Sequence, residues 1–352
     1  MTQAPDPRDL HPVRMLLVDD SVTSRAHLAA ILEDAPGLQI VGQARDGEEG
    51  LREALRLQPD VIVLDLQMPR MDGFTFLRLL MPRRPTPVVV VSSLNQRTDV
   101  FKALELGALD FVAKPSGSAA SLETFREELL QKCATVQALR MDNLAARRPL
   151  PAAPVAPREP LRVAAIGAST GGPQALQQLL AALPADTPLA LVIAQHMPEK
   201  FTFTFAQRLA RTTGWNAREA VEGDLLAPGL ALVAPGGKHL EVGRDDEGEL
   251  RARVLPRDEA TYRYTPSIDR LLRSAATALG SRVCGVVLTG MGQDGREGIQ
   301  LVKRAGGLTL AESEDSAVVY GMPQVAAATG AVDEVLHLRA VAGRLLRFAR
   351  ET

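Results

Sequence analysis

One glycine-rich turn in the second half of the chain carries a serine in a setting that could support nucleophilic chemistry. The stretch GASTG (167–171) matches the G-x-S-x-G pattern and stands between an apolar run and a helical pattern. Small neighbours allow a sharp turn that presents the Ser169 hydroxyl. The N–H groups at the start of the next helix, near Pro173, could stabilise an oxyanion. A serine that caps this helix would explain the same five residues.

Phosphate-binding interpretations of this turn fail at defining positions. A P-loop needs a lysine after its second glycine, and no lysine follows Gly171 or Gly172. A dinucleotide-binding fingerprint needs glycine at the third position, where this sequence has Ser169. The turn therefore favours a nucleophile or a helix cap over a phosphate site.

A nucleophilic serine needs a base, and His196 has the best position among the five histidines. It follows the strand pattern LALVIA (189–194), so we expect it at the same carboxyl edge as the serine. His239, on a later hairpin pattern, is a less regular alternative. The acid that orients such a base would be Asp294, which follows the strand pattern CGVVLT (284–289) in the turn GMGQDG. An ordinary Asp-Gly turn is the alternative for this aspartate.

The first part of the chain carries a different set of groups at its strand ends. They are Asp19 and Asp20 after the first strand pattern, Asp65 at the end of the third, Ser92 after the fourth and Lys114 after the fifth. Carboxyl ends of parallel strands share one edge, where ligands bind. Three carboxylates there repel each other unless a cation joins them, and Mg²⁺ prefers such ligands. Any single aspartate in such a place could instead form a turn or cap a helix.

Alternating strand and helix patterns would position both groups of candidate residues, the acidic group in the first part of the chain and the serine, histidine and aspartate in the second. The strand patterns before residue 114 are MLLV (15–18), LQIVG (38–42), VIVLD (61–65), PVVVV (87–91) and LDFVA (109–113), and the helical patterns include Ser24–Glu33, Gly47–Leu57 and Leu122–Leu139. Later strand patterns are VAAIG (163–167), LALVIA (189–194), CGVVLT (284–289) and LTLA (308–311). This alternation predicts two doubly wound α/β domains with mainly parallel sheets. Residues 230–256 predict antiparallel hairpins inserted in the second domain.

The segment 140–160 separates the two sets of patterns. It contains five prolines, five alanines and four arginines with no apolar period, which indicates a Pro/Ala/Arg-rich linker. A long surface loop within one domain is the alternative. We therefore predict a first domain over 12–139 and a second over 161–352.

Composition narrows the class of protein. The apolar fraction of 46% and charged fraction of 23% are ordinary for a soluble globular chain, and a net charge of −2 gives no footprint for nucleic acid or an anionic membrane. The apolar runs are too short to span a bilayer, and the first residues lack the apolar core of a signal peptide. We therefore expect a cytoplasmic protein with no membrane insertion and no nucleic-acid partner.

The motifs VDDS, DLQMPRMDG and KPS resemble the phosphoacceptor receiver domain of two-component response regulators. The resemblance covers about residues 12–138 and implies that Asp65 is phosphorylated. It also implies a set of supporting residues: Mg²⁺ ligands Asp19, Asp20 and Asp65, phosphoryl contacts Ser92 and Lys114, and a switching aromatic at Phe111.

The second half is similar to the catalytic domain of the chemotaxis protein-glutamate methylesterase family (CheB). The blocks IGASTGG, AQHMP, APGGKHL, LTGMGQDG, VVYGMP and GAVDEV carry this resemblance, in that order. It implies a triad of Ser169, His196 and Asp294, with Thr170 and Met291 at the oxyanion site and Met291 contributing its backbone N–H. The stretch TYRYTPSID (261–269) departs from the family, which often has a histidine near the second tyrosine.

The two resemblances together imply an esterase that phosphorylation activates. Its substrates would be glutamate γ-methyl esters, and glutamines, on a methyl-accepting chemoreceptor. A CheA-type histidine kinase would supply the phosphoryl group, Mg²⁺ would serve the receiver, and the esterase reaction would need no cofactor. The unphosphorylated receiver would cover the catalytic edge. Two competing classes are a response regulator with a DNA-binding output domain and a scaffold without activity. A DNA-binding domain needs a basic recognition element, and the second domain has none. A scaffold would have lost the triad, and all three residues are present.

Overall fold

The structure, a computed structural model, describes residues 12–33, 35–93, 97–115, 119–134, 136, 161–258 and 262–351. The chain separates into two compact units, Met1–Ala146 and Arg147–Thr352. The predicted linker, 140–160, lies outside the described residues, so the predicted domain limits stay predictions. Among the described residues, no helix is both long enough and apolar enough to cross a membrane.

The first unit is a five-stranded parallel sheet with a helix after each strand. Its strands are β1 (Val13–Val18), β2 (Leu38–Ala44), β3 (Val61–Asp65), β4 (Val88–Ser92) and β5 (Asp110–Ala113). Its helices are α1 (Val22–Glu33), α2 (Gly47–Leu57), α3 (Gly73–Leu80), α4 (Arg97–Glu105) and α5 (Ala119–Ala134). The strand order β2-β1-β3-β4-β5, with all neighbours parallel, confirms the predicted doubly wound fold.

Helix α2 shows how local sequence sets the limits of a helix. The Asp46 carboxylate accepts the N–H of Glu49 at 2.8 Å, and acidic residues in the first turn complement the helix dipole. The helix ends at Gln58, which adopts the left-handed conformation. The bounds of α2 are therefore those predicted. Helix α5 is described over Ala119–Ala134, and its predicted end at Leu139 lies outside the described residues.

The second unit contains a parallel sheet and one hairpin. Its strands are β6 (Arg162–Ala168), β7 (Leu189–Gln195), β8 (Asn216–Glu219), β9 (Leu230–Val233), β10 (Lys238–Arg244), β11 (Leu250–Pro256), β12 (Val283–Val287), β13 (Leu308–Glu312) and β14 (Glu334–Leu336). Its helices are α6 (Gly172–Ala182), α7 (Phe201–Thr213), α8 (Ile268–Leu279), α9 (Arg296–Arg304), α10 (Met322–Ala328) and α11 (Leu338–Phe348). The parallel sheet has the order β14-β13-β12-β6-β7-β9-β8.

One strand prediction is wrong. The sequence analysis assigned Leu230–Val233 to an antiparallel hairpin, but β9 pairs in parallel with β7 and β8 inside the main sheet. All four of its residues are buried, and a continuous apolar run is typical of a parallel strand covered on both faces. In the described part of the chain, only β10 and β11 form an antiparallel hairpin, which packs against α8.

Three neighbouring strands of this sheet position the candidate catalytic residues. Strands β12, β6 and β7 lie side by side, with Gly167 of β6 paired to Val287 on one side and Ala194 on the other. Because all three run in the same direction, the segments that follow them meet at one edge. Those segments contain Ser169, His196 and Asp294.

The helices of the second unit lie on both faces of the sheet. The connections from β6 to β7 and from β12 to β13 run in opposite directions along the sheet. Because such crossovers are right-handed, α6 and α9 lie on opposite faces. Helices α7 and α11 pack against α6, whereas α8 and α10 pack against α9.

Candidate active site

Ser169 lies in the turn that joins β6 to α6. Its backbone N–H donates to the carbonyl of Thr289 at 3.0 Å, and its own carbonyl accepts the N–H of Gly172 at 2.8 Å. Gly171, with a φ of 77°, is the N-cap residue of α6. The helix-cap interpretation of Ser169 is therefore wrong, because the capping position belongs to Gly171. The predicted strand-turn-helix setting of the serine is confirmed.

His196 connects Ser169 with Asp294. Its Nδ1 lies 3.2 Å from the Ser169 Oγ, and its Nε2 lies 2.8 Å from the Asp294 Oδ2. In the tautomer with the proton on Nε2, the imidazole donates to the carboxylate and accepts a hydrogen bond from the hydroxyl. The structure thus brings together the three residues that the sequence analysis selected from three separate strand ends.

The carboxylate of Asp294 lies at the N-terminus of α8. It accepts the N–H groups of Ile268 at 2.8 Å and Asp269 at 2.9 Å, which are donors that a helix leaves without an intrahelical partner. Burial alone would raise the pKa of Asp294, but the hydrogen bonds from His196 and from these N–H groups hold it below its ordinary value. The carboxylate is therefore ionised at neutral pH and can orient the imidazole.

His239, the alternative base, is buried at the start of α8. Its Nδ1 accepts the N–H of Ser267 at 3.2 Å, and the Ser267 hydroxyl lies 3.3 Å from Asp294. Burial lowers the pKa of His239, which favours the neutral ring. The geometry favours His196 as the base. His239 contacts Ser267, at the N-terminus of the helix whose N–H groups bind Asp294.

Gln195 is a buried residue that the sequence analysis missed. Its side-chain NH₂ group donates to the carbonyl oxygens of Ser169 at 2.9 Å and His196 at 3.0 Å. A Cβ atom on Gly172 would lie 2.0 Å from the Gln195 Oε1, so the turn needs glycine there. One amide therefore holds the backbones of the candidate nucleophile and base together. The available signal was a polar residue at the end of an otherwise apolar strand.

Tyr264 was also missed, although the sequence analysis marked its segment as unusual. Its ring stacks on the imidazole of His196, with the ring centres 4.5 Å apart and the planes 13° apart. A Cβ atom on Gly292 would lie 3.1 Å from the Tyr264 hydroxyl oxygen, so the tyrosine also reaches the turn after β12. The ring covers one face of the imidazole and restricts its rotation.

The two predicted oxyanion residues lie in segments that contact the nucleophile. Thr170 is buried, and its carbonyl accepts the hydroxyl of Thr289 at 3.0 Å. Met291 follows Gly290, where an added Cβ atom would lie only 2.7 Å from the Cβ of Ser169. The role of Thr170 and Met291 at an oxyanion stays a prediction.

A buried carboxyl group, Glu312, supports the same turn from the end of β13. It accepts the N–H of Thr289 at 2.8 Å and the hydroxyl of Ser316 at 2.9 Å. Burial raises the pKa of Glu312 to about 7. The sequence gives no signal for this residue, because its role depends on a contact between the end of β13 and the turn after β12 that only the folded sheet creates.

In the first unit, the predicted acidic cluster surrounds a lysine. The Lys114 Nζ lies 2.5 Å from the Asp65 carboxylate and 3.3 Å from that of Asp19. Oxygen atoms of Asp19, Asp20 and Asp65 lie within 4.8 Å of one another. Burial raises the pKa of Asp65; Lys114 opposes this effect and Asp19 adds to it. Burial would lower the pKa of Lys114, but the two carboxylates raise it.

The other predicted receiver residues occupy the neighbouring strands. Ser92 is buried at the end of β4, and its carbonyl accepts the N–H of Lys114 at 2.8 Å. Phe111 is buried on β5, and its ring packs edge-on against Phe101 with the centres 6.4 Å apart. The phosphoryl-contact role of Ser92 and the switching role of Phe111 stay predictions.

Comparisons with known proteins agree with this architecture. A response regulator receiver domain model matches residues 15–126, and a CheB methylesterase model matches residues 164–345. The chain is 63% identical over 342 residues to "Protein-glutamate methylesterase/protein-glutamine glutaminase 6" of Anaeromyxobacter dehalogenans, which covers 96% of each chain. It is 45% identical over 355 residues to "Protein-glutamate methylesterase/protein-glutamine glutaminase 3" of Geobacter sulfurreducens, covering 94% of this chain and 95% of that one.

A solved structure is also similar to the second unit. It is the CheB methylesterase catalytic domain of Thermotoga maritima, with 34% identity and a TM-score of 0.52. The match covers 54% of this chain and 99% of that domain. These comparisons confirm the family resemblance and the fold predicted from the sequence.

Proposed function

The chain belongs to the CheB methylesterase family and carries a response regulator receiver domain, and we propose on this premise that it hydrolyses glutamate γ-methyl esters on methyl-accepting chemoreceptors. We propose that it also deamidates glutamines on the same receptors. The observation that carries the proposal is the hydrogen-bonded series from Ser169 through His196 to Asp294. This series contains a nucleophile, a base within reach of its proton, and an ionised group that orients the base.

In the proposed first half-reaction, the Ser169 Oγ attacks the γ-carbonyl carbon of the ester. The hydroxyl proton passes to the Nδ1 of His196, which lies 3.2 Å away, and Asp294 stabilises the imidazolium. The carbonyl oxygen becomes an oxyanion, which we place near the backbones of Thr170 and Met291. Return of the proton to the methoxy oxygen releases methanol and leaves a glutamyl ester on Ser169.

In the second half-reaction, water gives a proton to His196 and attacks the glutamyl ester. Collapse of the second tetrahedral intermediate returns the proton to Ser169 and releases the glutamate side chain as a carboxylic acid, which then loses its proton to water. Glutamine would follow the same course, with ammonia leaving in place of methanol. Because each proton transfer has a donor and an acceptor among these groups, we propose no cofactor for the esterase reaction.

We propose that Asp65 accepts a phosphoryl group from a CheA-type histidine kinase, and that this modification activates the esterase. Asp19, Asp20 and Asp65 would hold Mg²⁺, because three carboxylates with oxygens within 4.8 Å fit a hard cation. Bound there, Mg²⁺ would offset the mutual repulsion of the three carboxylates and the charge of the incoming phosphoryl group. Lys114 would then pair with the phosphoryl oxygens, and Ser92 would donate a hydrogen bond to them.

Replacement of the nucleophile tests the esterase proposal. Full-length protein with Mg²⁺ and a small-molecule phosphodonor would be incubated with methylated receptor, and methanol release would be measured. Ser169→Ala should reduce turnover by several powers of ten. Ser281→Ala, at an exposed serine of the same unit, should retain normal turnover. If a folded Ser169→Ala protein kept more than about a tenth of the turnover, another residue would be the nucleophile.

A further inference from the structure

Two neighbouring depressions lie along α8 and α9, and one of them reaches the candidate triad. The first, of about 500 Å³, reaches Asp294 and Tyr264. The second, of about 440 Å³, is lined by Arg273, Glu297, Gln300, Leu301 and Arg304. Arg273 and Glu297 border both depressions, so the two are adjacent and share these side chains on their common rim. We call them the α8–α9 groove.

The lining of the α8–α9 groove has an excess of positive charge outside the triad. Its exposed cationic side chains are Arg263, Arg273 and Arg304. The acidic side chain of Glu297 is 71% exposed and lies 3.7 Å from Arg273. Such an exposed pair contributes little, so a carboxylate from another molecule could replace Glu297 beside Arg273. The remaining acid, Asp269, has its pKa raised to about 6 by burial and by the charge of Asp294.

We propose that the α8–α9 groove binds an acidic segment of the substrate polypeptide beside the glutamate that reacts. The inference rests on the proposed function, because it assumes that Ser169 acts on a glutamyl side chain. Arginine pairs with carboxylates through two parallel hydrogen bonds. Leu301 and Val325 add apolar surface for the aliphatic parts of such a segment. The groove therefore selects esters that have free carboxylates nearby.

The length of α9 separates Arg304 from the end of the groove at Asp294. The helix begins just after Asp294 and runs from Arg296 to Arg304, which corresponds to about 12 Å along its axis. A carboxylate bound at Arg304 would lie about two helical turns from the end of α9 that adjoins Asp294. The groove would therefore select the position of an acidic neighbour as well as its charge.

Two peptides test this proposal on full-length protein activated by Mg²⁺ and a phosphodonor. Both carry one glutamate γ-methyl ester, with flanking glutamates in one peptide and flanking serines in the other. We expect the unaltered protein to have a higher kcat/KM for the acidic peptide, and added salt to remove this preference. Arg304→Glu should reduce the ratio of the two kcat/KM values about three- to tenfold, mainly through KM.

Arg211→Glu is the matched control, because Arg211 is exposed on α7, on the opposite face of the sheet. It should retain the ratio of the unaltered protein. An unchanged ratio in both Arg304→Glu and Arg273→Glu would overturn the proposal. A second result would also overturn it: unphosphorylated Arg304→Glu hydrolyses the serine peptide faster than the unaltered protein does, while the ratio of the two kcat/KM values stays unchanged. The groove would then bind the chain's own first unit. Failure of the proposed function looks different: the folded, unaltered protein would release methanol from neither peptide.

Discussion

Asp65 and Asp294 are the same side chain at the same kind of sheet edge, in two different surroundings. Each is 7% exposed. Asp65 ends β3 and faces Lys114 and other carboxylates, whereas Asp294 follows β12 and faces His196 and the N-terminus of α8. The pKa of Asp65 is raised by burial, whereas that of Asp294 is lowered because hydrogen bonds to its ionised form outweigh burial.

The difference shows that the neighbours of a buried carboxylate determine its chemistry. The groups around Asp65 are charged side chains whose pairing can change when a cation or a phosphoryl group enters. The charge of Asp294 is balanced mainly by a ring N–H and by backbone N–H groups that belong to a helix. The first arrangement suits a group that is modified, and the second suits an anion that must keep its charge while a proton moves nearby.

Among the substitutions that test this comparison, Asp294→Asn should reduce turnover most. The amide oxygen can still accept the N–H of Asp269, but the NH₂ group, in the place of Oδ2, would then face both the Nε2 of His196 and the N–H of Ile268. The contact with Nε2 favours the proton on Nδ1, where the ring cannot accept a proton from Ser169. We expect kcat to fall about 10³- to 10⁴-fold. Methanol release measures the effect, with Asp246→Asn at an exposed position as the control; a fall of less than about tenfold would contradict the assignment of Asp294.

Gln195→Met sharpens the comparison by removing fixed hydrogen bonds without changing any charge. Methionine fills similar space but cannot donate to the carbonyls of Ser169 and His196. The relative position of nucleophile and base should loosen, and kcat should fall up to about 10²-fold with little change in KM. Gln324→Met, at an exposed glutamine on α10, is the matched control. Equal kcat values for the two folded variants would show that Gln195 does not position the pair.

Asp65→Asn tests the other side of the comparison. The variant should lose the whole phosphodonor-dependent increase in methanol release, while its basal activity stays measurable. If phosphorylation shifts a two-state equilibrium by a few kcal/mol, the lost increase is about 10- to 100-fold. The measurement compares both proteins with and without Mg²⁺ and phosphodonor. A phosphodonor response in the variant would place the acceptor at another residue.

The positions of both edges could be predicted from the sequence, but the contacts that support them could not. An apolar run that ends in polar residues indicates where a buried strand ends. Because parallel strands bring these ends together, the sequence predicts that Ser169, His196 and Asp294 form one group. The pairing of β9 was predicted wrongly, because an apolar run does not identify its neighbours in a sheet. Strands β8 and β14 lack a buried apolar run and gave no signal. Gln195 acts on backbone atoms brought close only by folding.

Glu312→Gln should have the smallest effect on turnover. Its main effect should be on the free energy of unfolding. The pKa of Glu312 is about 7 in the folded chain, whereas an ordinary glutamate has a value near 4.5. Between these values the folded state holds a proton that the unfolded state has lost, so the stability of the natural chain falls as pH rises. The difference amounts to about 3 kcal/mol above pH 7, since one pKa unit corresponds to about 1.4 kcal/mol. Glutamine does not titrate, yet it can accept the N–H of Thr289 and donate to Ser316.

The stability gain of Glu312→Gln over the natural chain should therefore be greater at pH 8 than at pH 5, by about 2 to 3 kcal/mol. Urea unfolding followed by tryptophan fluorescence measures this directly. Trp215 is the single tryptophan and is buried in the second unit, so its signal reports on the unit that contains Glu312. Glu314→Gln, at an exposed residue two positions along the chain, controls for a general change in charge. A difference that does not change with pH would mean that Glu312 titrates as it does in the unfolded chain, and that the esterase edge contains a second ionised carboxylate beside Asp294 at neutral pH.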